Sequence, residues 1–584
     1  MRHYKKHIAS YLPGFCIGIF CVLLEGICDL AGPVLMAAII DKGVKSGSLP
    51  YILRLSALML AMTLLGALFA AGRNIAASIV SRGFGANLRT DLFYKMLKMS
   101  AAVVDRIGQG SLITRMTNDV TQIIQFVNSM MRMAIKAPIV CIGSIVMAFI
   151  LSPYLSIPVI LSVIIGCLLI FACLKAGYAK FYAVQKAIDR VATVTQEYLQ
   201  GVRLVKAYGR TEYEENRFSA ANNELGCAAT SANRVISILT PFIALSINLG
   251  TILVIYIGSL LLPSGKIEIG IIMAFTAYMA QILLSIMSIS NAFNTFVRTK
   301  ASSQRITEVL DEEEETGGES DTQRSVESES DSEGDSGVAF KNVTFYYPGS
   351  SVEPAIKEVS FTFETGKMIS IIGATGSGKS TIVSLLLGFY EDYEGEIKIG
   401  EANLKSYSLK KIRNMIGVVP QRNMLFSGTV SDNICWGKQN ASYEELLQAT
   451  KTAKAHEFIT SMPNGYHSLL VQGATNLSGG QKQRISIARA VIKKPKIFVF
   501  DDCTSALDVL TEEKVLHLLK NEFPHVTKII ITQRIATALK GDKILVLDNG
   551  FVVGEGSHQE LIQRCDIYRD IYISQMGRDG VTGE

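Results

Sequence analysis

The sequence is short of charge and of the patterns that staple or ligate. Only 19% of its 584 residues are charged, against about 25% in an average soluble chain. That shortage excludes a disordered chain and a string of ordinary soluble domains. Ten cysteines and seven histidines are present, but no CxxC pair and no histidine cluster, so neither a disulfide framework nor a metal-site signature is visible. Six of the cysteines, Cys16, Cys21, Cys28, Cys141, Cys167 and Cys173, lie inside apolar runs, where they read as small buried hydrophobes in a reducing compartment. Acids are scarce outside one segment. Between Asp311 and Gly337 stand twelve acids and a single base, Arg324; without them, 56 basic and 40 acidic residues remain, a net of +16 against +5 for the whole chain. A basic excess in an apolar chain points to a membrane protein before a nucleic-acid binder.

What is abundant is apolar: 49% of the residues, with a mean hydropathy of +0.29. Stretches of the roughly 20 residues needed to cross a bilayer recur only before residue 300, at 12–40, 51–72, 133–152, 155–174, 235–262 and 269–292. The first is too long for a signal-peptide core and carries acids, so it reads as a retained span. Lys and Arg crowd the N-terminus and the segments after spans two and four, and are sparse in the turns around Asp41–Pro50, Pro153–Tyr154 and Pro263–Glu268. Both termini are therefore expected in the cytoplasm of a multi-pass cell-membrane protein. The two inside segments, about 60 residues each, are too long for unstructured loops and are expected as helices carrying their tips away from the lipid.

Three units follow: 1–310, a six-helix membrane domain; 311–337, an acidic disordered linker unable to bury enough surface to order itself; and 338–584, a soluble α/β domain. In the last, short apolar runs (Met368–Ile372, Lys496–Phe500, Lys528–Thr532, Lys543–Leu547) alternate with helical patterns, as in a mostly parallel sheet.

Directly after the first of these runs comes GATGSGKS, Gly373 to Ser380, and then an apolar helical stretch. This is G-x-x-x-x-G-K-[ST] between strand and helix, a phosphate-binding loop. Gly376 and Gly378 let successive N–H groups face phosphate oxygens, Lys379 reaches the terminal phosphates, and Ser380 holds Mg²⁺. Asp501, ending IFVF, is placed as a second Mg²⁺ ligand. A generic nucleotide hydrolase would account for these features.

LSGGQKQR, Leu477 to Arg484, narrows the reading. It resembles the signature of ATP-binding-cassette (ABC) proteins. In the same order Tyr347 resembles the adenine-stacking aromatic, Gln421 the Q-loop glutamine that also approaches Mg²⁺, and Asp508 the D-loop acid. Six spans fused to one cassette resemble an exporter half-transporter: six transmembrane helices with long cytoplasmic extensions, joined to an α/β P-loop ATPase with a helical subdomain. The resemblance implies ATP and Mg²⁺ as cofactors. It implies contacts to ATP from Tyr347, Gly373, Thr375, Gly376, Ser377, Gly378, Lys379, Ser380 and Thr381, and, toward the partner subunit's ATP, from Ser478, Gly479, Gly480 and Gln481. The tips near Arg106–Gln109 and Tyr208–Tyr213 would be coupling helices.

Two positions depart from the family pattern. The residue after Asp501, the Walker B acid of the family, is normally Glu but here is Asp502, and the switch histidine is Gln533. Losing a methylene shortens the reach by roughly 1.5 Å, and glutamine cannot become cationic. A milder departure is Gln472, where many exporters carry Glu. Together these resemble the degenerate-site subunit of bacterial heterodimeric multidrug exporters: a chain that holds ATP, hydrolyses it poorly, and completes a competent site on a partner with intact Glu and His. The expected cargo is an amphipathic or hydrophobic compound, such as a drug, lipid or peptide. The competing readings are a homodimeric lipid or peptide exporter with slow ATPase and an ATP-binding membrane regulator. In the first span Glu25 and Asp29 share a helix face by their i,i+4 spacing; they suit either a cation-binding cavity or a structural pairing with Arg132 and Lys136.

Overall fold

An apolar run in lipid must satisfy its backbone internally, which a helix does. In the computed structural model the described residues contain six helices long and apolar enough to cross a membrane: Ala9–Val44, Leu49–Leu97, Gln109–Leu151, Pro153–Gly177, Pro241–Leu261 and Ile269–Ile289. The structure describes residues 2–263, 266–315, 336–348, 353–503 and 507–577. The chain divides into two units, one of Met1–Tyr94 with Gly110–Asp311, the other of Lys95–Gln109 with Glu312–Glu584.

In the first unit the helices run on past the apolar spans, as their polar continuations predict. Pro153–Ala207 and Thr211–Leu261 pack along each other and meet at a tip of only three residues, 208–210, so no separate short helix forms there. The core between spans gathers Leu155, Val159, Ile247, Val254, Phe275 and Ile282, with Met279 buried among them. Among the described residues, one-turn π segments at Ile39–Val44, Arg115–Asp119 and Met130–Ala134 interrupt the α-helical runs.

The second unit begins with the other tip. Ser100 caps the short helix Ala101–Ile107, and Gly108, at φ +83°, ends it in a conformation a side chain would resist. The four strands β1 (Val338–Phe345), β2 (Ile356–Phe363), β4 (Glu394–Ile399) and β5 (Ala402–Asn403) make an antiparallel sheet in the order β2-β1-β4-β5. A six-stranded sheet is ordered β12-β11-β3-β10-β9-β6, from β3 (Met368–Gly373), β6 (Ile416–Val419), β9 (Ile497–Asp501), β10 (Thr527–Thr532), β11 (Lys543–Asp548) and β12 (Phe551–Gly556). All its pairings are parallel except β11–β12. The four apolar runs singled out in the sequence are its adjacent strands β11, β3, β10 and β9. Each of β3 and β10 is buried at all six positions, the mark of a parallel sheet covered on both faces. Two short strands, β7 (Gly428–Thr429) and β8 (Leu469–Leu470), pair antiparallel, and the helices Tyr443–Thr452 and Gly479–Val491 pack against each other.

The acidic segment is tied down at both described edges. Asp311 ends the last long helix. Glu312 pairs with Arg106 at 2.5 Å, Glu314 with Lys98 at 3.0 Å, and Glu315 with Arg413 through two bonds of 2.6 and 3.0 Å. Ser336 is buried, its hydroxyl 3.0 Å from that of Thr527. The intervening 316–335, most of the expected linker, lies outside the described residues.

Candidate nucleotide-binding site

The parallel strands β3, β9 and β10 bring the segments of the site together at their C-terminal ends. β3 runs into the glycine loop, and Gly378 caps the following helix, Lys379–Leu386, at φ +95°. A Cβ at Gly378 would stand 2.6 Å from Ile356 Cγ2 and 2.7 Å from the Ala355 carbonyl, so both the backbone and the space require glycine. Lys379 is buried and donates to the carbonyls of Gly373 (2.9 Å) and Ala374 (2.6 Å) and to Ser377 Oγ (3.3 Å). Burial pushes its ammonium below the usual lysine range, although Asp502 and Asp501 pull the other way.

β9 ends in Asp501, whose Oδ1 accepts from Ser380 Oγ at 3.4 Å. Asp502, next in the chain, sits at φ +46°, in the left-handed region that aspartate tolerates better than most residues. Its Oδ2 accepts from Gln421 Nε2 at 3.5 Å, the outer limit for such a bond. Burial raises both carboxyls above their ordinary range; for Asp502 the opposing influences are the Gln421 bond and the charges of Arg534 and Lys379. Gln533 follows β10, and its backbone carbonyl accepts from Gln575 Nε2 at 2.7 Å.

These side chains border one cavity of about 280 Å³, lined by Tyr347, Ala355, Thr375, Gly376, Gly378, Lys379, Ser380, Thr381, Gln421, Asp501, Asp502, Ile531 and Gln533. Tyr347 donates or accepts a 3.1 Å bond with Thr381 Oγ1 and stands edge-on to Phe345 and Tyr390. Gly373 and Ser377 adjoin the cavity through their bonds to Lys379. Ser478 to Gln481 do not line it: Ser478 caps the Gly479–Val491 helix, exchanging bonds of 3.3 and 2.9 Å with Gln481. Asp508 does not line it either; it caps Val509–Glu522, and the bond from Thr511 N–H holds its carboxyl below the usual range. Arg534 was not singled out from the sequence. Its position beside Gln533 is the signal, since a cation there biases Asp502.

The model of the "ABC transporter transmembrane region" matches residues 15–287, and that of "ABC transporter" matches residues 356–505. An uncharacterized ABC transporter ATP-binding protein of Bacillus subtilis is 38% identical over 97% of this chain and 96% of its own length. The chain belongs to the ABC transporters. The ATP-dependent lipid A-core flippase of Saccharophagus degradans is 31% identical over 86% of this chain and 83% of its own. A solved bacterial Atm1-family ABC exporter with ATP bound superposes with a TM-score of 0.81 at 25% identity, covering 98% of this chain and 99% of that one. The protein is thus an ABC exporter, a multi-pass membrane protein with a cytoplasmic cassette that binds and hydrolyses ATP. ABC exporters act as dimers.

In the exporter's membrane unit, the two acids of span one meet cations from its own chain. Glu25 is buried, 2.6 Å from Lys136 Nζ and 3.3 Å from Arg73 Nε; Asp29 lies 2.8 Å from the same Lys136. Lys136 thus stands beside both acids. Arg73 replaces Arg132 as the second cation. Both acids nevertheless border a cavity of about 480 Å³.

Proposed function

We propose that this chain is the slow half of a heterodimeric exporter of amphipathic or hydrophobic compounds. One observation carries the reading: Asp502 and Gln533, the two departures from the catalytic pattern, line the same cavity as an intact phosphate loop. The loop amides, Lys379 and Thr381 would hold the phosphates, with Tyr347 against the base. Ser380, Gln421 and Asp501 offer the oxygens that suit Mg²⁺, a hard cation preferring such ligands. When bound, Mg²⁺ would offset charge on the terminal phosphates.

Hydrolysis needs a group that orients water within a fraction of an ångström. Asp502 is one methylene short, and a 1 Å misplacement costs about 10²-fold. Gln533 can donate to a phosphate oxygen but carries no charge. ATP would therefore stay bound here and act as a clamp. Ser478 to Gln481, at a helix N-terminus, would complete the fast site on a second half-transporter bearing Walker B Glu, switch His and an altered signature.

The test is the chain alone in lipid nanodiscs. It should bind an ATP analogue but turn ATP over at least tenfold more slowly than the complex recovered with its co-purifying partner. Brisk hydrolysis by the chain alone would reject the heterodimer in favour of a homodimer. Absence of ATP-dependent efflux from vesicles holding the complex would point to a regulator.

A further inference from the structure

Spans one, two, three and six converge on a second cavity, of about 440 Å³, bordered by Asp29, Arg73, Arg132 and Lys136. Its apolar wall includes Met133, Val140 and Leu284. Charge around it does not balance. Glu25 is spent on Arg73 and Lys136, and Asp29 on Lys136. Three cations thus face two carboxylates. Arg132 is exposed and makes no ion pair among the described residues.

The backbone explains why Arg132 is there. Met130–Ala134 is a π turn, with Ile135 N–H bonded to the Met130 carbonyl at 3.2 Å. A π turn inserts a residue and leaves a carbonyl without its usual partner, and such turns are frequent at functional sites. Here the Arg132 carbonyl accepts from Arg73 Nη1 at 2.6 Å. Arg73 is therefore fixed from two sides, by Glu25 and by this carbonyl, and the turn presents Arg132 and Met133 to the cavity. Intramembrane ionisable groups are costly and mark ligand paths by default. An unmatched arginine beside an apolar wall suits a ligand with an acidic head and an apolar body, because guanidinium forks onto phosphate or carboxylate oxygens.

We infer that this cavity binds the acidic headgroup of an amphipathic anion, with Arg132 as its principal contact. The inference rests on the export reading above and specifies the charge of the cargo; it assigns Glu25 and Asp29 to holding Lys136 and Arg73, not to a cationic ligand. The headgroup could belong to a bilayer lipid or to a dispersed single-chain amphiphile, since the recognising chemistry is shared.

The experiment is native mass spectrometry of the full-length chain in a maltoside detergent, titrated separately with dodecyl phosphate, phosphatidylglycerol and dodecyltrimethylammonium. Dodecyl phosphate should give a one-to-one adduct that Arg132→Gln weakens about tenfold and Arg132→Lys largely restores. Phosphatidylglycerol competing for the same site would support the inference with a lipid source; dodecyl phosphate binding alone would support it with a single-chain source. Tighter binding of dodecyltrimethylammonium than of dodecyl phosphate would overturn it, as would an Arg132→Gln chain that folds and binds dodecyl phosphate unchanged. If Arg132→Gln does not fold, Asp29→Asn replaces it and should tighten dodecyl phosphate; no change there overturns the inference equally. Binding is read without nucleotide, so loss of ATP-driven efflux with anion binding intact would count against the export reading alone.

Discussion

The hydroxyl of Tyr390 donates to Asp105 Oδ2 at 3.0 Å, and the same ring stands edge-on to Tyr347, 5.3 Å between centroids. Tyr347 borders the nucleotide cavity, and Asp105 belongs to the short helix Ala101–Ile107 at the first cytoplasmic tip. Two contacts therefore link that tip to the wall of the ATP site. Burial, with the Asp105 carboxylate beside it, pushes the Tyr390 phenol up to about 12, so it stays a donor throughout the working pH range.

Tyr390→Phe removes one bond to a charged acceptor and keeps the edge-on ring contact. Such a bond contributes about 1.5–3 kcal/mol. Amide hydrogen exchange in residues 101–107 should speed about tenfold or more, while affinity for an ATP analogue changes less than twofold. Unaltered protection of the tip would show that the bond does not hold it.

Asp502→Glu restores the missing reach but not the missing cation. In the assembled complex, turnover attributable to this site should rise less than about tenfold, and Gln533→His on top should raise it by a further factor of similar size. Full recovery from Asp502→Glu alone, measured by steady-state ATPase, would show that glutamine suffices at the switch position.

The Glu315–Arg413 fork is partly exposed, with side-chain exposures of 20% and 36%. Exposed pairs contribute about 0.2–1 kcal/mol. The Glu315 amide also donates to the Lys98 carbonyl at 2.7 Å, which gives a direct reporter. Glu315→Gln should speed exchange of that amide several-fold, and raising salt to 1 M should bring wild type toward the variant. An exchange rate insensitive to both changes would mean the backbone bond alone fixes the segment.

Lys528 is buried near the start of β10, donating to the carbonyls of Phe523 and Val526, the latter at 2.8 Å. Burial pushes it from 10.5 down to about 8. Between these values the unfolded chain binds more protons than the folded one, so stability rises with pH through that window. The full effect is at most about 3 kcal/mol. Scanning calorimetry of the full chain should show the cassette's melting temperature rising from pH 8 to 10 relative to Lys528→Met. Parallel curves for the two proteins would place the Lys528 titration elsewhere.

Much of the nucleotide site was legible before folding because its chemistry is local. A glycine loop between strand and helix works through consecutive backbone amides, so Gly373 to Thr381 announce themselves. That Asp502 and Gln533 share the cavity with them needed only the parallel neighbours β9 and β10, which the apolar runs already implied. Less legible was Arg534, whose influence on Asp502 depends on distance across strands. The acidic run was readable as composition, yet Glu312, Glu314 and Glu315 find partners at Arg106, Lys98 and Arg413, far away in sequence.

The sequence by itself determined the six apolar helices, the cassette and its departures from the catalytic pattern, because hydrophobic length and contiguous motifs are properties of neighbouring residues. Only the tertiary structure decided how the membrane charges balance. Glu25 and Asp29 share a helix face by spacing alone, but their neutralisation depends on Arg73 and Lys136 arriving from other spans. Arg132 lies in a π turn and makes no ion pair with them among the described residues. Charge pairing in a low-dielectric interior acts through space and falls with distance, and no count along the chain supplies that distance.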